Sequence, residues 1–121
     1  MEFTLDNTIT LIGGRGTHEG NVFLDGMPVC DYSWDIKDAW VVCKQLGFLS
    51  VVDYTRNSQF GRVDDLFRMR YVNCEGTERK LSDCPHSKSG TCSSYSVAGV
   101  ICSAEYLGNF EIILFLPIHL L

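Results

Sequence analysis

The sequence has no cysteine pair spaced Cys-x-x-Cys and no histidine pair spaced His-x-x-x-His, and its three histidines, His18, His86 and His119, lie far apart. Zinc sites usually take ligands in close pairs that set half the tetrahedron locally, so a zinc-built fold is disfavoured and no metal centre is expected. A basic excess is also missing: Lys and Arg number 10 against 15 Asp and Glu, a formal net charge of −5. A chain of that balance is not expected to bind nucleic acid, which requires cations facing phosphate. No run is long enough to cross a bilayer, since the most apolar stretch, IILFLPIHLL, is short and broken by Pro117. There is no Asn-x-Ser/Thr sequon, so N-glycosylation is not expected. No internal repeat or low-complexity segment is visible. The opening MEFTLDNTIT has neither the basic start nor the apolar stretch of a secretory leader.

What the chain does have is enough apolar material for one core. At 121 residues and 45% hydrophobic content it suits a single folded domain rather than two marginal ones. The six cysteines, Cys30, Cys43, Cys74, Cys84, Cys92 and Cys102, are even in number and read as three disulfides. Spacing leaves 15 pairings open, and Cys74 with Cys84, a short local loop, is the only pair expected on spacing alone. Disulfides imply an oxidising compartment, which conflicts with the missing leader. The simplest resolution is a piece of a longer secreted or membrane-anchored protein, its membrane connection residing in missing parts of the parent.

Local patterning gives short strands and one helix. TITLIGG and NVFL read as strands. Asp25-Gly26 is a tight-turn pair, and MPVC returns with Pro28 restricting it to an edge or its first residues. Ile36 to Leu46 reads as a helix, with Asp35 as N-cap, Asp38 facing the helix dipole and Gly47 at the C-terminal left-handed position. Ala39, Val42, Cys43 and Leu46 share a face that points inward. Trp34 is expected beneath the helix, in preference to a ligand-stacking platform with Trp40. Later strands are expected in LSVVDY, MRYVNC and SVAGVIC, within otherwise irregular structure held by bridges.

The ordered blocks ITLIGG, EGNV, VCDYSWD, DAWVVCKQLGF, FGR, VNCEGTE, LSDCPHS and VAGVIC resemble the scavenger receptor cysteine-rich (SRCR) family in its six-cysteine form. His18 and Phe48 stand where the eight-cysteine form has two mutually bonded cysteines. The resemblance implies an α+β fold, a curved antiparallel sheet cradling one helix, over residues 10–103, with an extension at 1–9 and a peripheral apolar tail at 104–121. It also implies the pairing Cys30 with Cys92, Cys43 with Cys102 and Cys74 with Cys84. The implied role is extracellular recognition of protein or polyanionic ligands. The alternatives are a structural spacer in a tandem array or an accessory domain of a multidomain enzyme.

The chain departs from the family at its acidic positions. Many members bind calcium through an Asp pair after the third-strand cysteine and a Glu before the last one. Here Asp31 is kept, but Tyr32 takes the second place and Ser96 with Val97 the position near the end. One carboxylate is too few for a hard cation. A second acidic pair is replaced by Arg70 and Tyr71. Drifted surface positions are one reading. The functional reading exchanges the cation for a basic face: Arg68 and Arg70 alternating along a strand, with Arg79 and Lys80 in the neighbouring cysteine loop. Asp64, Asp65, Glu75 and Glu78 are placed to weaken that patch, and Glu78 is read as structural. No cofactor is expected, and no motif sets Ser, His and Asp into catalytic roles, so the domain is not expected to be an enzyme.

Overall fold

The computed structural model describes residues 7–104. The segments 1–6 and 105–121 lie outside the described residues, which leaves residues 7–9 of the expected N-terminal extension and Ala104 of the expected tail inside them. Strand β1 (Ile9–Gly13) pairs antiparallel with β2 (Glu19–Leu24), Ile9 opposite Leu24 and Gly13 opposite Gly20. The chain turns at Asp25 (φ 55°) and Gly26 (φ 84°), two positive angles that suit the twist of a tight hairpin, and returns as β3 (Met27–Pro28). Pro28 lacks an N–H, and the regular strand stops there.

Helix α1 (Ile36–Gln45) follows, then β4 (Val51–Thr55), a single 3₁₀ turn at Leu81–Asp83, and β5 (Gly99–Cys102). The sheet order is β1-β2-β5-β4, with β3 beside the end of β2. Every strand pair in it is antiparallel.

The helix start is a capping box. The Asp35 carboxylate accepts from the N–H groups of Lys37 and Asp38, while the Asp38 carboxylate accepts from the Asp35 N–H at 2.8 Å. Asp38 therefore does more than face the dipole: its other oxygen accepts from the Cys74 N–H at 2.8 Å, tying the helix to the distant cysteine loop. Gly47 ends the helix at φ 96°.

Ala39, Val41, Val42 and Cys43 are buried against Trp34, Val22, Leu24, Val100 and Cys102, which forms the core between helix and sheet. Trp34 donates its indole N–H to the Gly99 carbonyl at 2.9 Å, so it is core and its polar atom is satisfied. Trp40 is half-buried, with the Lys44 ammonium 5.6 Å from its ring centre. A paired Trp34 and Trp40 platform does not exist.

The disulfides join Cys30 to Cys92, Cys43 to Cys102 and Cys74 to Cys84. Cys43 to Cys102 ties α1 to β5 across the core. Cys30 to Cys92 fixes the loop before β5 to the end of the hairpin, beside a small second cluster of Phe67 and Val97.

MRYVNC corrects the sequence reading, because it is not a strand. Met69 bridges Val29 and Arg70 bridges Ser87, but each contact is isolated, and Tyr71 at φ 56° turns the chain out of extended geometry.

Candidate functional site

The acidic positions set the first question, whether this surface holds a cation. Asp31 is 2% exposed, and its Oδ2 accepts from the Asn57 N–H at 2.6 Å. Its backbone N–H donates to the Ser96 carbonyl, and Val97 is fully buried. The residues therefore do not fit a calcium site: the set has one carboxylate, which spends an oxygen on the Asn57 backbone, and a hard cation needs several oxygen ligands. Cys74, Glu78 and Cys84 also cluster, but both sulfurs are spent on a disulfide. The Glu78 carboxylate accepts from the N–H groups of Glu75 and Gly76, and these backbone donors, Glu75 foremost, hold it below the usual carboxylate range. It shapes the loop.

The expected basic face is not assembled as expected. The Arg68 side chain is 29% exposed and lies 3.6 Å from the fully buried Asp25 carboxylate, which also accepts from the Thr8 N–H. Arg70 is 8% exposed and donates from Nη1 to the Lys88 carbonyl at 3.0 Å. Without a continuous strand, alternation no longer places the two arginines on one open face. Arg79 and Lys80 are exposed and line a separate groove with Asn7, Gln45 and Asp83.

What the structure does bring together is Tyr32 and Tyr71. Their ring centres are 5.5 Å apart with planes tilted by 53°. Tyr71 is 55% exposed, while Tyr32 packs against the Cys30, Phe67 and Val97 cluster. Each had been singled out in the sequence as a replaced acid, but nothing in the spacing joined the two. Tyr95, 62% exposed, lies farther along the loop tethered by Cys92, with the Arg62 guanidinium 5.0 Å from its ring centre.

The sequence profile of the scavenger receptor cysteine-rich domain matches residues 12–103. The chain belongs to the SRCR family. As an SRCR domain it is 39% identical over 101 residues to a scavenger receptor cysteine-rich domain superfamily protein of Patiria pectinifera, covering 78% of this chain and 9% of that protein. It is 35% identical over 103 residues to the mouse macrophage scavenger receptor types I and II, covering 80% of this chain and 22% of the relative. Against the egg peptide speract receptor of Strongylocentrotus purpuratus the identity is 34% over 119 residues, covering 91% of this chain and 22% of the receptor. The chain thus spans less than a quarter of the length of each of these relatives.

Among solved structures, the third SRCR domain of murine neurotrypsin superposes with a TM-score of 0.73 at 33% identity, covering 78% of this chain and 94% of that one. The SRCR domain of mouse MARCO, in a dimeric form, gives 0.62 at 31%, covering 70% and 86%. An SRCR domain is an extracellular module of secreted proteins and receptor ectodomains, and its disulfides suit that compartment. Among the described residues no helix is long and apolar enough to cross a membrane.

In this SRCR domain the loop between β1 and β2 is held by Glu19. Its buried carboxylate accepts from the Arg15 backbone N–H at 2.9 Å and from the Arg15 guanidinium at 3.1 and 3.3 Å. The Arg15 side chain, through these bonds, holds Glu19 below the usual carboxylate range. His18 and Phe48 serve the frame: the His18 carbonyl accepts from the Cys102 N–H, and Phe48 lines a groove with Thr17 and Leu46.

Proposed function

We propose that this SRCR domain is an extracellular recognition module that engages a protein partner by direct contact, without a bridging cation. The observation that carries this reading is the Asp31 to Asn57 hydrogen bond: the retained acid is buried and occupied, while its neighbour Tyr32 presents an aromatic ring instead of a second carboxylate.

A polyanion as the principal ligand is the weaker reading. Many cations of the chain are already engaged, Arg15 by Glu19, Arg62 by Asp64, Arg68 by Asp25 and Lys44 by Trp40. Arg79 and Lys80 are the polyanion's best foothold, being exposed and adjacent.

The domain carries no chemistry of its own in this reading. Its parent is a multidomain receptor or secreted protein, and attachment to an enzyme remains compatible with the match to a neurotrypsin domain. The experiment is a screen of the full chain against displayed extracellular proteins and immobilised heparin, run in calcium and in chelator. Saturable capture of a protein that is unchanged by chelator supports the reading. Capture that collapses in chelator, or that is confined to heparin, overturns it.

A further inference from the structure

Tyr71 is the one aromatic residue of the described chain with positive φ, at 56°, a region that L side chains other than Asn and Asp seldom occupy. The chain accepts this strain and leaves the ring 55% exposed, leaning on Tyr32. Strain retained at an exposed aromatic points to use rather than to packing.

The residue before it supplies charge. Arg70 is 8% exposed, its Nε is buried with no hydrogen-bond partner, and no described carboxylate lies within ion-pair distance of its guanidinium. A cation enclosed in this way is poorly screened and projects a positive field to the adjoining surface. That surface is the loop Ser87 to Gly90. Arg70 exchanges two backbone hydrogen bonds with Ser87, and its Nη1 grips the Lys88 carbonyl. Lys88 is itself exposed, with no described acidic partner. From Ser87 to Ser96 the chain reads SKSGTCSSYS, small polar residues with one tyrosine, anchored by Cys92 to Cys30. Rigid tyrosines amid serine and glycine are the composition of adaptable protein-binding surfaces.

We infer that Tyr32, Tyr71 and the Ser87 to Gly90 loop form a docking surface for an acidic segment of another protein, the rings taking its apolar atoms and Lys88, with the field of Arg70, taking a carboxylate. This rests on the protein-recognition reading above and adds the surface and the partner's chemistry. One recessed guanidinium and one ammonium suit a single carboxylate. A sulfated glycan would need several open cations in a row.

The test is backbone-amide NMR of the full chain titrated with hexaglutamate and, separately, with a heparin hexasaccharide. Hexaglutamate is expected to shift Tyr32, Tyr71 and Ser87 to Gly90. Lys88→Ala should weaken it by about two- to fivefold, the range of an exposed charge pair. Tyr71→Gly relieves the backbone while deleting the ring, so it should keep the melting temperature near the parent's and still weaken hexaglutamate. Arg70→Gln keeps a donor for the Lys88 carbonyl, removes the charge, and should weaken binding as well. Shifts confined to Arg79 and Lys80, no shifts at millimolar peptide, or a response to heparin alone at this surface would each overturn the inference. If the screen above still captures a protein without calcium, the broader reading survives that failure.

Discussion

Asp31 and Asn57 are joined by a 2.6 Å hydrogen bond from the Asn57 N–H to the buried Asp31 carboxylate, across the gap between the hairpin's end and the loop after β4. Asn57 has φ 61° and Ser58 beside it has φ 51°, so this bond holds a tight backbone turn against the frame. Asp31→Ala should therefore act on stability, lowering it by about 1 to 3 kcal/mol because a backbone donor loses its acceptor. Denaturant titration of the variant checks this. An unchanged midpoint would mean the acid is free for a ligand.

Asp38 makes the fold sensitive to pH. Burial pushes its carboxyl up from the ordinary 3.8 to about 7, against the pull of the Cys74 and Asp35 N–H donors. A raised folded value means the native chain holds a proton that the unfolded chain has released. Stability should thus fall as pH rises through the window between those values and level off above it. Glu19 and Glu78, held low, change their contributions only in more acidic solution. Melting curves from pH 5 to 7.5 should show the decline in the parent, and Asp38→Asn should flatten it. A slope shared by both proteins would assign it elsewhere.

The Cys43 to Cys102 bridge crosses the core from α1 to β5. Replacing both by Ala should lower stability by about 2 to 5 kcal/mol. Peptide mapping without reductant should recover Cys30 with Cys92 and Cys74 with Cys84 intact in that variant. A scrambled pairing or a free thiol in the parent would contradict the framework.

Trp34 is 2% exposed and bonded to Gly99, whose own position is tight: a Cβ there would meet the Thr55 hydroxyl oxygen. Trp34→Phe should cost about 1 to 3 kcal/mol through the orphaned Gly99 carbonyl and lost volume. Thermal unfolding measures it, and a loss below a few tenths would place the tryptophan outside the cooperative core.

The helix was legible to within a residue, because Asp35, the inward face and Gly47 are local signals that agree with one another. The Asp25-Gly26 turn and the brevity of β3 were legible for the same reason, Pro28 acting on its own strand. MRYVNC was misread because alternation of Arg68, Met69 and Arg70 looks like a strand. The decision is tertiary: Met69 and Arg70 find partners on different segments, Val29 and Ser87, and Tyr71 adopts a positive φ that no neighbour announces. The surroundings of Arg68 and Arg70 were not legible either, since each is engaged by a distant group, Asp25 and the Lys88 carbonyl. The family resemblance supplied the disulfide pairing that spacing could not. The meeting of Tyr32 with Tyr71 had no sequence signal at all.

Direct recognition without a cation is tested most simply by isothermal titration of calcium into the full chain, followed by amide NMR of the same sample. The account predicts no saturable heat up to millimolar calcium and no shift at Asp31, Tyr32 or Asn57. Saturable binding with shifts centred on Asp31 would mean that its carboxylate leaves Asn57 for a metal, and would contradict the account.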